Sequence, residues 1–348
     1  MRNYIARRLP QAWYQRKLSL KLLPLLPLSW LFGVIAKIRR TLYQKGILPS
    51  HTLPVPVIII GNITTGGSGK TPFVIWLVKQ LQEQGWRPGI ISRGYGGLNK
   101  HAVSVTASSR SEEVGDEPLL LARRCHVPVF ICKDRVNAGQ ALLSAHPECT
   151  VIIADDGLQH YRLQRSVEII VFDERGIGNA QLLPAGPLRE PVERLQTVTA
   201  IVHNLSAKKE TQLDIPVKIP AFTMRLKGEA FTSLASPHVL CERTDFQGKR
   251  LYAIAGIGHP ERFFSQLEEM GIRFTARPFP DHHCYSHRDL DTLQDGTLLM
   301  TEKDAVKCQS LTLGEAWVLP VSAHVYPSLD GKELIDIILE NLNGPSSL

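Results

Sequence analysis

The densest chemistry in this 348-residue chain lies in one run, Gly61-Asn62-Ile63-Thr64-Thr65-Gly66-Gly67-Ser68-Gly69-Lys70-Thr71. Glycines let backbone N–H groups turn inward around an anion, where a Cβ would obstruct them. A lysine at the end of such a loop reaches the β- and γ-phosphates of a nucleotide, and the threonine hydroxyl after it is a ligand for Mg²⁺. Residues 64–71 are therefore the candidate nucleotide cradle. The strict phosphate-loop pattern asks for glycine five residues before Gly69, where this chain has Thr64, and Gly66-Gly67 offer flexibility in its place. A plain glycine-rich turn is the bland alternative. The context argues against it: a β-branched run, residues 55–60, feeds the loop, and an amphipathic segment, residues 71–84, leaves it and stops at Gly85. The new helix would add unpaired N–H groups and the positive end of its dipole.

Acidic residues supply the second set. Thr150-Val151-Ile152-Ile153-Ala154-Asp155-Asp156-Gly157 is an apolar strand ending in two carboxylates. Adjacent acids at a buried strand end repel unless a cation neutralises them, so Asp155 and Asp156 are candidate Mg²⁺ ligands. Gln159-His160-Tyr161-Arg162 adds polar groups on the same edge. Asp116, in Gly115-Asp116-Glu117-Pro118, precedes a helix that ends near Arg123-Arg124. It is placed either to cap that helix or to accept a proton from a substrate hydroxyl. Arg189, in the rigid stretch Leu182-Leu183-Pro184-Ala185-Gly186-Pro187-Leu188-Arg189-Glu190-Pro191, suits charge neutralisation on a transferring phosphoryl group; a surface pair with Glu190 is the plainer reading. Ser92-Arg93-Gly94-Tyr95-Gly96-Gly97 follows a short strand, where α/β proteins keep their ligands, but an ordinary connection fits it equally. Asp281-His282-His283-Cys284, with His287 beyond, has no closed zinc ligand set.

Strands alternating with helices up to about residue 220 predict an α/β unit with a mostly parallel sheet. Residues 221–226 and 230–234 then read as a short hairpin or ribbon, and a new strand–helix series starts at Leu251. The expected fold class is α/β: a phosphate-loop NTPase-type N-terminal domain over residues 46–220, a ribbon region over 221–250, and a smaller C-terminal α/β domain over 251–348. Six cysteines without C-x-x-C spacing read as isolated reduced thiols.

The net charge of +7 is local. Residues 1–50 hold ten Lys/Arg and no Asp or Glu, so the remainder holds 30 basic and 33 acidic residues, or −3. That distribution argues against a general nucleic-acid-binding body and points to whatever the arm touches. Within the arm, residues 1–45, an apolar stretch over 22–36 is bracketed by Lys17, Lys21, Lys37, Arg39 and Arg40. Fifteen residues broken by Pro24 and Pro27 are short for a bilayer span, and no signal-peptide cleavage site follows. An interfacial anchor on an anionic membrane fits, with Trp13, Tyr14 and Trp30 at headgroup level; a buried helix hairpin with a basic rim is the alternative.

Taken in order, Gly-Gly-Ser-Gly-Lys-Thr-Pro (66–72), Ser-Arg-Gly-Tyr-Gly-Gly (92–97), Gly-Asp-Glu-Pro (115–118), Asp-Asp-Gly-Leu-Gln-His (155–160), Leu-Leu-Pro-Ala-Gly-Pro-Leu-Arg-Glu (182–190), Asp-His-His (281–283) and Thr-Glu-Lys-Asp-Ala (301–305) closely resemble the tetraacyldisaccharide 4′-kinase family of Gram-negative bacteria. The resemblance implies transfer of the ATP γ-phosphate to the 4′-hydroxyl of a tetraacylated glucosamine disaccharide 1-phosphate. It implies ATP and Mg²⁺, a lipid substrate, no obligate protein partner, and a monotopic enzyme on the cytoplasmic face of the inner membrane. By the same resemblance Asp116 and His282 form the acid–base pair, and Lys70 and Arg189 serve catalysis. Thr71, Asp155, Asp156 and Glu190 hold Mg²⁺, while Arg93, Tyr95, Gln159 and His160 face the substrate. The competing class is a membrane-attached ATPase or switch with no small-molecule acceptor; a kinase for a soluble metabolite would not need the arm. No Asn-Lys-x-Asp sequence is present, which favours adenine over guanine.

Overall fold

A computed structural model describes residues 11–15, 18–94, 101–206, 219–228 and 230–343. Tyr95 and Lys17 lie outside them. Nine strands form the larger sheet in the order β15-β8-β7-β6-β1-β5-β2-β4-β3. Its centre is β1 (Val57–Gly61), flanked by β5 (Val151–Asp155) and β6 (Val167–Asp173), both parallel to it. Further parallel neighbours are β2 (Pro88–Ser92), β4 (Val129–Ile131), β7 (Ala200–Asn204) and β8 (Ala221–Gly228). Short β3 (Val103–Val105) and β15 (Val321–Tyr326) close the two edges antiparallel. Central strands buried on both faces explain the unbroken Val/Ile runs.

Helices cover both faces. The helix after β1, Lys70–Glu83, packs Phe73, Leu77 and Leu81 on one side; the helix Arg135–Ala145 packs Val136 and Leu142 on the other. With the N-terminal helix Leu26–Gln44 as α1, these are α2 and α4, and the helix Asp116–Cys125 between them is α3. Because all parallel strands point the same way, their carboxyl ends collect Gly61, Ser92, Asp155, Asp173 and Asn204 along one edge.

The smaller sheet runs β10-β9-β14-β13-β11-β12. It comprises β9 (Phe231–Ser233), β10 (Leu240–Cys241), β11 (Leu251–Ala255), β12 (Thr275–Pro278), β13 (Thr297–Thr301) and β14 (Ala316–Leu319). Its helices α5 (Pro260–Glu269) and α6 (Glu302–Cys308) follow β11 and β13. All six cysteines are free, and only Cys284 is exposed.

Two expectations need correction. Residues 221–234 do not form a local hairpin: β8 pairs with β7 and β15, whereas β9 pairs with β14 and β10. The ribbon between the sheets is made of two antiparallel strand pairs, β8 with β15 and β9 with β14. Nor does the second unit keep everything from Leu251 onward. After β14 the chain returns to the large sheet as β15, and α7 (Leu334–Asn343) buries Leu334, Ile335 and Ile338 in the core beside α2. An amphipathic helix states that it has an apolar face, not which core receives it.

The arm also departs from expectation. Leu20–Leu25 is a 3₁₀ turn that runs into α1, making 25 helical residues long and apolar enough, by length and composition, to cross a membrane. Pro27 sits in the first turn of α1, where a missing N–H costs nothing, so the prolines do not shorten the segment. One face of α1 is docked on the body. Ser29 Oγ donates to Leu182 O at 2.8 Å and accepts from Ala185 N–H, a Cβ on Gly33 would lie 2.7 Å from Leu182, and Arg39 stacks over Tyr161. The other face exposes Leu28, Trp30, Leu31, Val34, Ile35 and Ile38. Trp13 and Tyr14 turn into the protein: Trp13 Nε1 donates to Pro184 O and the Tyr14 hydroxyl to Thr65 O.

Candidate active site

The loop between β1 and α2 takes positive φ at Gly66 (+100°) and Gly69 (+89°), not at Thr64. Thr64 is buried and bridged to Leu188 as in a strand, so a side chain there is accommodated without strain. The departure from the strict pattern falls where no glycine is required. At Gly69 one is: a Cβ would lie 2.1 Å from Asn204 Nδ2, which donates to Ser68 O at 3.0 Å. The loop is tied down at its start by Thr65 N–H to Pro187 O and Arg189 N–H to Ile63 O. Among the described residues the N–H groups of Gly66, Gly67, Ser68 and Gly69 have no backbone acceptor, which leaves them for an anion.

Beside this loop, the register Ile60↔Asp155 sets the end of β5 against the end of β1. Lys70 Nζ lies 3.4 Å from Asp156, and Arg189 lies 3.3 Å from the same carboxylate. Arg189 thus faces the acidic pair rather than its neighbour Glu190. Burial works against the Asp156 charge, but Lys70 and Arg189 hold its pKa down to about 2. Asp155 is buried, with an oxygen that has no hydrogen-bond partner among the described residues; burial and the charge of Glu117 push it up. An orphaned carboxylate oxygen beside a second carboxylate, itself in contact with Lys70, fits a hard cation, and Thr71 is the next residue after that lysine. Mg²⁺ binds through one or two carboxylates plus substrate phosphates, which is the donor set Asp155 and Asp156 could offer. Glu190, the third acid the resemblance assigns to the metal, is held by protein partners. Its carboxylate accepts from Gln159 Nε2 at 2.8 Å and from the Tyr161 hydroxyl, and pairs with Arg194, so protein donors already satisfy it. His160 lies 3.3 Å from Asp134, and burial and Arg135 lower its pKa to about 4. Arg93 is exposed at the end of β2.

Asp116 opens α3, which is capped by Gly115 with no side-chain cap bond. Its buried carboxylate faces the second unit instead, where His282 Nδ1 lies 3.0 and 3.1 Å from its two oxygens. Burial would raise the Asp116 pKa, but the His282 hydrogen bond and the Lys303 ammonium hold it below the ordinary carboxylate value. The same hydrogen bond raises the pKa of His282. The neighbouring His283 lies 3.3 Å from Asp289 and stacks on Phe279, which separates the roles of the two histidines.

The phosphate loop and the acid–base pair border two separate recesses. A cavity of about 460 Å³ between the units is lined by residues 67–71 on one side and by Glu117, Gly258, Arg262 and Lys303 around it. Of the residues singled out in the sequence, Lys70 lines this cavity, Asp156 and Arg189 gather beside Lys70, and Asp116 and His282 line a small separate recess that Lys303 connects to the cavity. Sequence reasoning missed Asn204, Arg135, Arg262 and Lys303. Asn204 and Arg262 bond to each other at 2.8 Å across the units, and buried Arg135 donates to Asp156 O. A polar residue closing an apolar strand, as Asn204 closes β7, is the signal that was available for the first of them.

Comparison with known proteins identifies the family and the fold. The family model described as tetraacyldisaccharide-1-P 4′-kinase matches residues 21–343. The chain is 52% identical over 343 residues to the tetraacyldisaccharide 4′-kinase of Dechloromonas aromatica, covering 98% of each, and 49% identical over 329 residues to that of an Azoarcus species, covering 94% of each. A crystal structure of LpxK from Aquifex aeolicus in complex with ATP superposes with a TM-score of 0.78 at 31% identity, over 93% of this chain and 100% of that one. With a match of this extent in both sequence and fold, the chain belongs to the tetraacyldisaccharide 4′-kinase family.

Proposed function

We propose that the protein transfers the γ-phosphoryl group of ATP to the 4′-hydroxyl of a tetraacylated glucosamine disaccharide 1-phosphate, a step of lipid A biosynthesis. The observation that carries this reading is the Asp116–His282 pair, closed across the two units beside the cleft that the phosphate loop lines. An ATPase needs only the loop and its acids; a carboxylate oriented by histidine is what an alcohol acceptor requires.

Asp116 accepts the hydroxyl proton as the sugar oxygen attacks the γ-phosphorus and the bond to ADP breaks. His282, donating from Nδ1, orients the carboxylate. Phosphoryl transfer has a loose transition state, so the protein mainly aligns the reactants and balances charge. Lys70 and Arg189 are the cations beside the phosphate loop for that purpose. Thr71, Asp155 and Asp156 are the groups that would hold Mg²⁺, which when bound screens the phosphate oxygens. Gln159, His160 and Arg93 are assigned to the acceptor on the family resemblance. The test is ATP turnover with and without dispersed acceptor lipid. Turnover near background until lipid is added supports the kinase; hydrolysis that lipid does not change supports the ATPase.

The exposed face of α1 is read as the membrane contact, on the cytoplasmic side of the inner membrane. A helix docked on the protein from Ser29 to Arg39 lies along a bilayer surface instead of being surrounded by lipid. Replacing Leu31, Ile35 and Ile38 with glutamate is expected to lower partition onto anionic vesicles by roughly tenfold per substitution. Undiminished co-sedimentation would contradict this placement.

A further inference from the structure

One motif is not absorbed by the reaction as described: Thr301-Glu302-Lys303-Asp304, where β13 turns into α6. We propose that Lys303 is a positioning residue for the acid–base pair: its ammonium, shared by Asp116, Glu117 and Asp281, locks the carboxylate of one unit and the histidine loop of the other into a single arrangement. The inference rests on the reading of Asp116 as the base.

Lys303 Nζ lies 3.0 Å from Glu117 and 3.8 Å from Asp116, both on α3, and 3.5 Å from Asp281, the residue before His282. Its side chain is only 16% exposed, so the contacts are poorly screened by water. The backbone that carries it is held from both sides. Thr301 Oγ1 accepts from Asp304 N–H to cap α6, and Glu302 pairs with Arg124 across the interface. Asp304, fully buried, accepts from Gly256 N–H and the Tyr285 hydroxyl and pairs with Lys307 at 2.8 Å. Tyr285 is three residues beyond His282, so the histidine loop hangs from the same short helix as Lys303.

Two further features make such a lock necessary. His282 has φ +57°, a left-handed conformation that a residue with a Cβ keeps only when its surroundings impose it. In addition, Asp116 stands in an acidic neighbourhood. Glu117 on α3, Glu112 on the short helix Ser111–Val114, and Asp281 beside His282 face it or its pocket, as does Cys284. The cations among them are Lys303 and Lys307, both on α6, and it is Lys303 that reaches the carboxylate. Burial opposes the Lys303 charge, but Glu117, Asp116 and Asp281 raise its pKa, so it stays protonated.

The experiment is the pH dependence of phosphoryl transfer for wild type, Lys303→Met, Lys303→Arg and Asp116→Asn, each checked for a cooperative thermal transition. Lys303→Met is expected to lower kcat by about 10²-fold with little change in the KM for ATP, the cost of a base held slightly out of line. Loss of the cation raises the pKa of Asp116, so the acidic limb of the profile moves up by about one pH unit. Lys303→Arg recovers most of the rate. An unshifted limb with kcat within about twofold of wild type would overturn the proposal, as would Lys303→Arg behaving like Lys303→Met. Should Lys303→Met not fold, Lys303→Gln is read by the same limb. Full turnover in Asp116→Asn would overturn the base assignment itself, an outcome separate from any Lys303 result.

Discussion

A Lys70→Ala protein is expected to fold normally and to transfer phosphate at least about 10³-fold more slowly than wild type, the scale of losing a cation that stabilises a transferring phosphoryl group. The fold should survive because Lys70 is not a core residue. Its partner Asp156 keeps Arg189 at 3.3 Å, and α2 is held by Phe73, Leu77 and Leu81 below the loop. Catalysis should not survive, because the glycine cradle supplies only N–H dipoles, and Lys70 is the full charge at the mouth of α2. Single-turnover transfer together with a melting curve measures both halves of this expectation. A folded variant with near-normal turnover would remove the phosphate-loop assignment.

Asp116→Ala is expected to reduce turnover by about 10²–10⁴-fold, the usual contribution of a positioned general base. Helix capping does not explain the residue, because Gly115 occupies the cap position and the carboxylate turns toward His282. Nucleotide affinity should therefore stay close to wild type in this variant while kcat falls. The pH sign follows from the lowered pKa of Asp116. The base is ionised above that value, so activity is lost only as pH falls through it, and removing His282 should move that loss to higher pH. Wild-type turnover in Asp116→Ala would return the residue to a structural role.

Local patterns carried most of the site. The phosphate loop was legible because strand, glycines, Lys70, Thr71 and helix are contiguous, and Asp155-Asp156 because an apolar strand ends in charge. Asp116 was ambiguous from its own surroundings, since its partner is 166 residues away; only the ordered set of motifs suggested the pairing. The ribbon was misread for a related reason. Residues 221–234 look like two short strands in succession, yet their pairing partners lie at 316–326, and strand pairing is set by register across the sheet rather than by nearness in sequence. Arm length was underestimated by treating Pro27 as a break when it begins a helix. Tyr14 was assigned to headgroups on composition, whereas its hydroxyl ties the arm to the phosphate loop. Lys303 and Asn204 gave little signal alone, because each acts through groups brought together only by the packing of the two units.

The most direct test is mass spectrometry of a tetraacyl disaccharide 1-phosphate incubated with the protein, Mg²⁺ and ATP, with Lys70→Ala in parallel. The account predicts a lipid heavier by one phosphoryl group, attached at the 4′ position and absent with the variant. Consumption of ATP with the lipid unchanged would contradict it.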